Sequence, residues 1–343
     1  MKNPFVTNGY VSPEYFCDRE KETAKIVSLL TNENNIALIS PRRLGKTDLL
    51  RHCFGQPEIK EHYHTFIIDI YATSSVRDFV NVFGKAVLDE LRPKGKSVWG
   101  TFLNVLASLR SEITFDMNGQ PTWGIGLGAI TNPSATLDEI FSYLNNAGKP
   151  CLIAIDEFQQ ITKYADDPNI EAALRTHIQR CSNAHFVFSG SHRHLMGAMF
   201  TSPARPFYQS VTLINLPPIS VDKYVEFCLK HFERASKRLD TLVVTELYER
   251  FNGITSYMQK VMNILFSMTG TGEICIPSMI DTAINDLLDF SADTYDALLY
   301  QMPEKQRIVF MAIAAEGKAK AISSGDFVRK YKLQSASSVS SAV

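Results

Sequence analysis

The chain lacks the marks of several common protein classes. Its six cysteines (Cys17, Cys53, Cys151, Cys181, Cys228 and Cys275) are scattered, with no C-x-x-C pair and no metal-ligand spacing. That excludes a disulfide framework or a zinc motif and suits small apolar thiols in a reducing cytoplasm. An excess of one charge is missing too: 35 Lys and Arg stand against 36 Asp and Glu, a formal net charge of −1. No global pull toward nucleic acid or an anionic membrane follows, though a local basic patch is not excluded. Long apolar runs are absent. The least charged stretch, residues 121–137, is broken by glycine and proline and is too polar to span a bilayer. The start, Met1-Lys2-Asn3-Pro4-Phe5, has no apolar core or cleavage-like site, which argues against a signal peptide. What is left is 343 residues, 45% hydrophobic and 21% charged, enough for two or three globular domains in the cytoplasm.

The first informative stretch is the apolar run Ile36-Ala37-Leu38-Ile39. It enters Ser40-Pro41-Arg42-Arg43-Leu44-Gly45-Lys46-Thr47-Asp48 and then a helical pattern. Strand, tight loop ending Gly-Lys-Thr, then helix is the layout of a phosphate-binding P-loop. Its backbone N–H groups would point at phosphate from the positive end of a helix. Gly45 lets the backbone come close, Lys46 would reach the β- and γ-phosphates, and Thr47 would offer its hydroxyl to Mg2+. Ser40 stands where the pattern has its first glycine, and Pro41 biases it toward an extended backbone. Arg42 and Arg43 either brace the loop or touch phosphate.

A second run, Cys151-Leu152-Ile153-Ala154-Ile155, reads as a strand buried on both faces and ends in Asp156-Glu157. Carboxylates at such a strand tip sit where open α/β sheets bind ligands. Asp156 would hold Mg2+ through water, and Glu157 would polarise the attacking water as general base. A third strand at 184–188 runs into Ser189-Gly190-Ser191, where a polar side chain would lie between phosphate and carboxylates. Ser189 and Ser191 both qualify. Further strands are expected at 65–70 and 211–216. Helices are expected at 21–30, 76–91, 98–109, 193–200 and 137–146, the last opened by a Thr136/Glu139 capping box. Asn118-Gly119 predicts a hairpin with arms at 113–116 and 122–125. Tyr15, Phe16 and Arg19, just before the P-loop strand, are candidates to border the nucleotide base.

Pro217-Pro218 marks a domain edge. Residues 1–217 would form the nucleotide domain and 218–291 a helical one, with helices at 221–235, 242–251, 256–268 and 278–288. Residues 292–343 would start a third, whose helices at 296–301, 304–316, 323–331 and from 335 have helix-turn-helix or winged-helix spacing. No strand pair follows, so the sequence reads as a truncated version of a longer protein. Lys318, Lys320, Arg329, Lys330 and Lys332 give this end a basic tilt.

Several segments together carry a resemblance. They are Asn3-Pro4-Phe5, Tyr15-Phe16-Cys17-Asp18-Arg19-Glu20, the loop from Ser40 to Thr47, and Ile155-Asp156-Glu157-Phe158-Gln159. Phe188-Ser189-Gly190-Ser191 and Arg205-Pro206-Phe207-Tyr208 complete the set. In this order they resemble the archaeal-type ATPase family, a branch of P-loop ATPases close to AAA+ and STAND proteins. The resemblance implies an α/β P-loop NTPase core, AAA+-like, with parallel strand order 5-1-4-3-2. It also implies a helical lid, a C-terminal winged helix (here partial), and ATP with Mg2+ as the bound group. A serine at the first loop position is common in that family. AAA+ relatives keep an arginine finger where Arg205 stands, reaching the γ-phosphate of a neighbour in a homo-oligomer. Alternatively Arg205 anchors the Pro206-Phe207-Tyr208 segment. Two functions stay open. One is an ATPase that moves its lid and C-terminal domain, with Lys46, Glu157, Ser191 and Arg205 as catalytic residues. The other is a slow, nucleotide-gated module that contacts DNA or a partner protein through its C-terminal helices. A membrane partner is not expected.

Overall fold

Strands buried on both faces set the architecture in the computed structural model, which describes residues 2–91, 113–115, 121–123, 133–317 and 319–343. The helix expected at 98–109, the Asn118-Gly119 turn and Lys318 lie outside the described residues. The strands of the N-terminal part are β1 (Ile36–Ile39), β2 (His64–Asp69), β3 (Ile113–Phe115), β4 (Pro121–Trp123), β5 (Cys151–Asp156), β6 (Ala184–Gly190) and β7 (Thr212–Asn215). Five of them form a parallel sheet in the order β2-β5-β6-β1-β7. Counted alone, these five have the expected order 5-1-4-3-2 read from the opposite edge. β1, β5 and β6 are buried at every position. Their alternate residues feed two cores. Ala37, Ile39, Ile153, Ile155 and Phe186 pack on one face, and Ile36, Leu38, Leu152, Ala154 and Val187 on the other. Strands of this kind fit only inside a sheet covered on both sides.

The covers are helices. α1 (Glu20–Thr31), α2 (Lys46–Phe54) and α3 (Pro57–His62) pack on the second face. α4 (Val76–Glu90), α5 (Pro133–Asn145), α6 (Ile170–Arg180) and α7 (Arg193–Thr201) pack on the first. β3 and β4 pair antiparallel, Ile113 opposite Trp123; β3 falls inside the first expected hairpin arm, and β4 starts one residue ahead of the second. At α5 the boundary differs from expectation for a local reason. α5 begins at Pro133, a residue preorganised for a first helical turn, so Thr136 is buried inside the helix rather than capping it.

The helical segment after the sheet holds α8 (Val221–Arg234), α9 (Thr241–Arg250) and α10 (Thr255–Met268). Residues 238–240, between two of the expected helices, include the strand β8 (Arg238–Leu239), which pairs in parallel with β9 (Ile274–Cys275). Two residues are too few for alternation to show. The N-terminal strap docks on these helices. Phe5 is fully buried, its ring 6.0 Å from Phe227 and 5.8 Å from Phe266. Asn3 Nδ2 donates to the Asn263 carbonyl at 2.7 Å, and Asn263 Nδ2 returns a bond to the Phe5 carbonyl at 2.7 Å.

The chain divides into two compact units, Met1–Pro277 and Ser278–Val343. The second contains α11 (Ile280–Asp289), α12 (Ala292–Gln301), α13 (Glu304–Glu316), α14 (Gly325–Lys330) and α15 (Ala336–Ala342). Val309, Ala312, Phe327, Leu333 and Val339 form its small core. Ser324 and Ser335 cap α14 and α15, accepting from the amides of Phe327 and Ser338.

Candidate active site

Where β1 ends, the buried Ser40 donates its amide to the Gly190 carbonyl at 3.4 Å and so ties the loop to β6. Arg43 and Gly45 then take left-handed conformations, with φ of 70° and 82°. Only Gly45 does so without strain, and a Cβ there would meet nothing within 4 Å. The loop hands over to α2 at Lys46, which aims the unsatisfied amides of the helix start back into the loop. Lys46 is 7% exposed, and its Nζ donates to the carbonyls of Ser40 at 3.1 Å and Pro41 at 3.3 Å. Burial pulls its pKa down, Asp156 and Glu157 oppose that, and nearby Arg42 adds to it. Burial also raises the Asp48 carboxyl, with Arg51 opposing.

Thr47 Oγ1 donates to Asp156 Oδ2 at 2.6 Å, so the loop and the tip of β5 meet. Glu157 follows in a left-handed conformation (φ 56°), a strain of order 1–3 kcal/mol for a non-glycine residue. Its amide donates to Asp156 Oδ1 at 3.0 Å. Behind it the fully buried Phe158 locks the turn, its ring 4.4 Å from Phe188 and 5.4 Å from Phe207. Glu157 Oε2 accepts from Ser191 Oγ at 2.9 Å and from Gln159 Nε2. Ser189 is buried, and its hydroxyl has no partner among the described residues. Of the two serines, Ser191 is therefore the one that touches the carboxylate.

Arg42, Arg43, Leu44, Gly45, Lys46, Thr47 and Asp48 line one cavity of about 510 Å³ with Asp156 and Glu157, a volume in the range of ligand pockets. Phe16 and Arg19 border it as well. Phe16 stacks on His52 at 4.4 Å. Arg19, only 3% exposed, takes a left-handed conformation (φ 77°) and donates to Glu22 Oε1 at 2.7 Å. Ser40 and Pro41 support the loop from beneath, outside the lining. Arg205 lies elsewhere. Its guanidinium pairs with Glu171 of α6, whose carboxyl is raised by burial against the pull of Arg205, and Phe207 beside it is buried. Asp69, Tyr10 and Gln259 also line the cavity, and the sequence reading missed them. Asp69 had a signal: it ends β2 as Asp156 ends β5, and the register sets the two side by side. Tyr10 and Gln259 had none, since only folding brings the strap and α10 to the cavity. A hydroxyl and a carboxylate at 2.6 Å are hard oxygen donors that suit Mg2+.

Where the two motifs meet fixes the class: a P-loop, ATP-binding ATPase. Residues 16–261 match the family described as ATPase domain predominantly from Archaea, and the chain belongs to it. Residues 293–343 match a probable winged helix domain. No curated protein matches the chain. Among solved structures, the Walker-type ATPase PABY2304 of Pyrococcus abyssi is similar at a TM-score of 0.62 and 18% identity, over 96% of this chain and 87% of that one. The ORC2 protein of Aeropyrum pernix, in ADPNP-ADP complexes, has a TM-score of 0.59 at 15% identity, covering 96% and 82%. The ORC1 protein of Aeropyrum pernix, in complex with DNA, has 0.55 at 14%, covering 96% and 83%. At such identities the likeness is one of fold. Among the described residues no helix is long and apolar enough to cross a membrane.

Proposed function

We propose that the cleft binds ATP with Mg2+ and hydrolyses it to ADP and phosphate in the cytoplasm. The nucleotide state then moves the helical part at 218–291 and the C-terminal helices at 292–343. The observation that carries this reading is the 2.6 Å Thr47–Asp156 hydrogen bond, which joins residues 109 apart in sequence. The loop amides of residues 42–48, on the support that Ser40 and Pro41 form, and the Lys46 ammonium hold the β- and γ-phosphates, and Phe16 and Arg19 border the base. Thr47, and Asp156 through water, would hold Mg2+. When bound, the ion would neutralise charge on the phosphate oxygens. Glu157, oriented by Ser191, accepts a proton from the attacking water. As the water oxygen bonds to the γ-phosphorus, the bond from that phosphorus to the β–γ bridging oxygen breaks, and ADP leaves with the electron pair. The proton then passes to bulk water. Arg205 belongs to this scheme only if a homo-oligomer presents it to a neighbouring nucleotide.

Phosphate release tests the reading. Glu157→Gln should keep ATP binding and lose roughly 10²–10⁴-fold in turnover, and Lys46→Ala should lose binding. Wild-type turnover no faster than that of Glu157→Gln would overturn hydrolysis and leave a nucleotide-gated binding module. The winged-helix match favours a DNA contact as the second reading. Against it, Lys330 is paired with Glu316 at 2.6 Å and Arg329 with Asp326 at 2.5 Å, which removes much of the basic tilt. A DNA contact would weaken with salt. Affinity that survives removal of the residues beyond 303 would refute it.

A further inference from the structure

The P-loop carries two arginines, and the fold sends them in opposite directions. Arg43 faces the helical part. Its carbonyl accepts from the Ser256 amide at 3.2 Å, its guanidinium donates to the Tyr257 hydroxyl, and that guanidinium lies 5.0 Å from the Tyr257 ring. Arg43 therefore braces the loop against α10. Arg42 faces the cleft. Its Nε donates to Ser191 Oγ at 3.4 Å, and Ser191 in turn donates to Glu157 Oε2 at 2.9 Å. Its guanidinium stands 5.6 Å from the exposed Tyr71 ring, within cation–π range. Asp69, Asp156 and Glu157 line the same cavity, yet among the described residues Arg42 makes no ion pair and its Nη groups have no hydrogen-bond partner. The other arginines considered for the site are engaged. Arg19 is held by Glu22 and Arg205 by Glu171.

We propose that Arg42 supplies from within the chain the charge that an arginine finger brings from a neighbour, its Nη groups contacting the γ-phosphate of bound ATP. This rests on the cleft being the ATPase site described above. A guanidinium edge presents paired N–H donors that match two phosphate oxygens, and an ammonium cannot reproduce that fork. Its place fixes which phosphate it meets. One residue, Ser191, with a hydrogen bond on either side, separates Arg42 from the carboxylate that takes the proton of water, so it stands over the phosphate under attack. Tyr71 keeps the guanidinium raised over the cleft. Charge supplied in this way is present in a single protomer, and turnover needs no assembly.

Equilibrium binding to the full chain tests this without relying on turnover. The ligands are ADP and a non-hydrolysable ATP analogue, each measured for wild type, Arg42→Ala and Arg42→Lys. Arg42→Ala should lose roughly 10–100-fold in affinity for the analogue while ADP affinity stays within about 2-fold. Arg42→Lys, which keeps the charge and guards against a folding defect, should recover part of the loss. Turnover by Arg42→Ala should drop roughly 10²–10³-fold, and wild-type turnover per protomer should not change with protein concentration. Equal losses for ADP and analogue would overturn the proposal, because Arg42 would then only brace the loop. Unchanged analogue binding, or specific turnover that climbs with concentration, would overturn it too. The two failures are separable. A Glu157→Gln variant as active as wild type sinks the ATPase reading itself. An inactive Glu157→Gln beside an Arg42→Ala variant with normal analogue binding sinks only the role of Arg42.

Discussion

Two glycines near the site should respond to the same substitution with opposite sign. Gly190 closes β6 just before Ser191. A Cβ built there stands 2.6 Å from both Cγ and Sδ of Met196, and nearer still to the Gln159 amide oxygen. Met196 is fully buried and Gln159 is 4% exposed, so neither can swing into solvent. Overpacking a dense core costs about 1–3 kcal/mol, and with two buried side chains displaced Gly190→Ala belongs in the upper half, about 2–3 kcal/mol. Gly197, inside α7, has nothing within 4 Å of an added Cβ. There alanine removes the entropic penalty of a helical glycine, a gain of about 0.5–1 kcal/mol. At roughly 2–4 °C per kcal/mol for a chain of this size, Gly190→Ala should melt about 4–12 °C lower and Gly197→Ala about 1–4 °C higher. The assay is thermal and urea unfolding, with the transition of the first unit identified by its response to nucleotide. Function adds a second readout. Gln159 donates to Glu157, so Gly190→Ala should lose turnover even at temperatures where it remains folded. Melting of Gly190→Ala within about 1 °C of wild type would refute the reasoning, because the packing at the β6 tip would then yield freely.

His231 and Lys46 give two further tests. His231 is fully buried between Tyr15 and Phe227, and neither ring nitrogen has a hydrogen-bond partner among the described residues. Burial holds its pKa below 6.5, Arg234 and Lys230 push the same way, and the Glu14 backbone and side chain oppose them. A folded pKa below the unfolded one means that the unfolded chain binds more protons, so stability is lost as pH falls below 6.5. His231→Phe should therefore raise Tm more at roughly pH 5 than at pH 8. An equal gain at both would refute it. His52, His177 and His185, also lowered by burial, leave a residual slope. For Lys46, the depressed pKa means that its buried charge opposes folding at neutral pH, an effect relieved as pH rises through the folded pKa toward 10.5. Lys46→Met should stabilise the nucleotide-free chain by about 0.5–2 kcal/mol and abolish the rise of Tm with nucleotide. A lower Tm without nucleotide would count against this account.

What the sequence revealed divides along one physical line. β1, β5 and β6 were legible because a parallel strand buried on both faces reads as an unbroken apolar run, and the loop was legible because Gly-Lys-Thr before a helix is a local signal. Contacts between distant segments were not. Nothing local marks Glu171 as the partner of Arg205, or Asn3 and Asn263 as the clasp that seats Phe5. The Thr136/Glu139 pattern is a genuine capping signal, yet Pro133 starts α5 a turn earlier. The choice between Ser189 and Ser191 needed the register of β6 beside β1, where Leu38 stands against Ser189 and leaves that hydroxyl inside the sheet.

The division of labour between Arg42 and Arg43 shows why the remaining information is energetic rather than compositional. As letters the two residues are identical, and the loop pattern accepts either in either role. They separate because Arg43 sits at φ 70°, a conformation that carries its carbonyl and side chain toward α10. Glu157 at φ 56° and Arg19 at φ 77° make the same bargain beside the same cavity. Each such residue costs of order 1–3 kcal/mol and persists only where surrounding contacts over-determine it. Those contacts are Ser256 and Tyr257 for Arg43, the locked ring of Phe158 for Glu157, and Glu22 for Arg19. Three strained non-glycine residues converging on one cleft are hard to account for by packing alone. They are what is expected if the fold spends stability there to hold charged side chains in readiness for a phosphate.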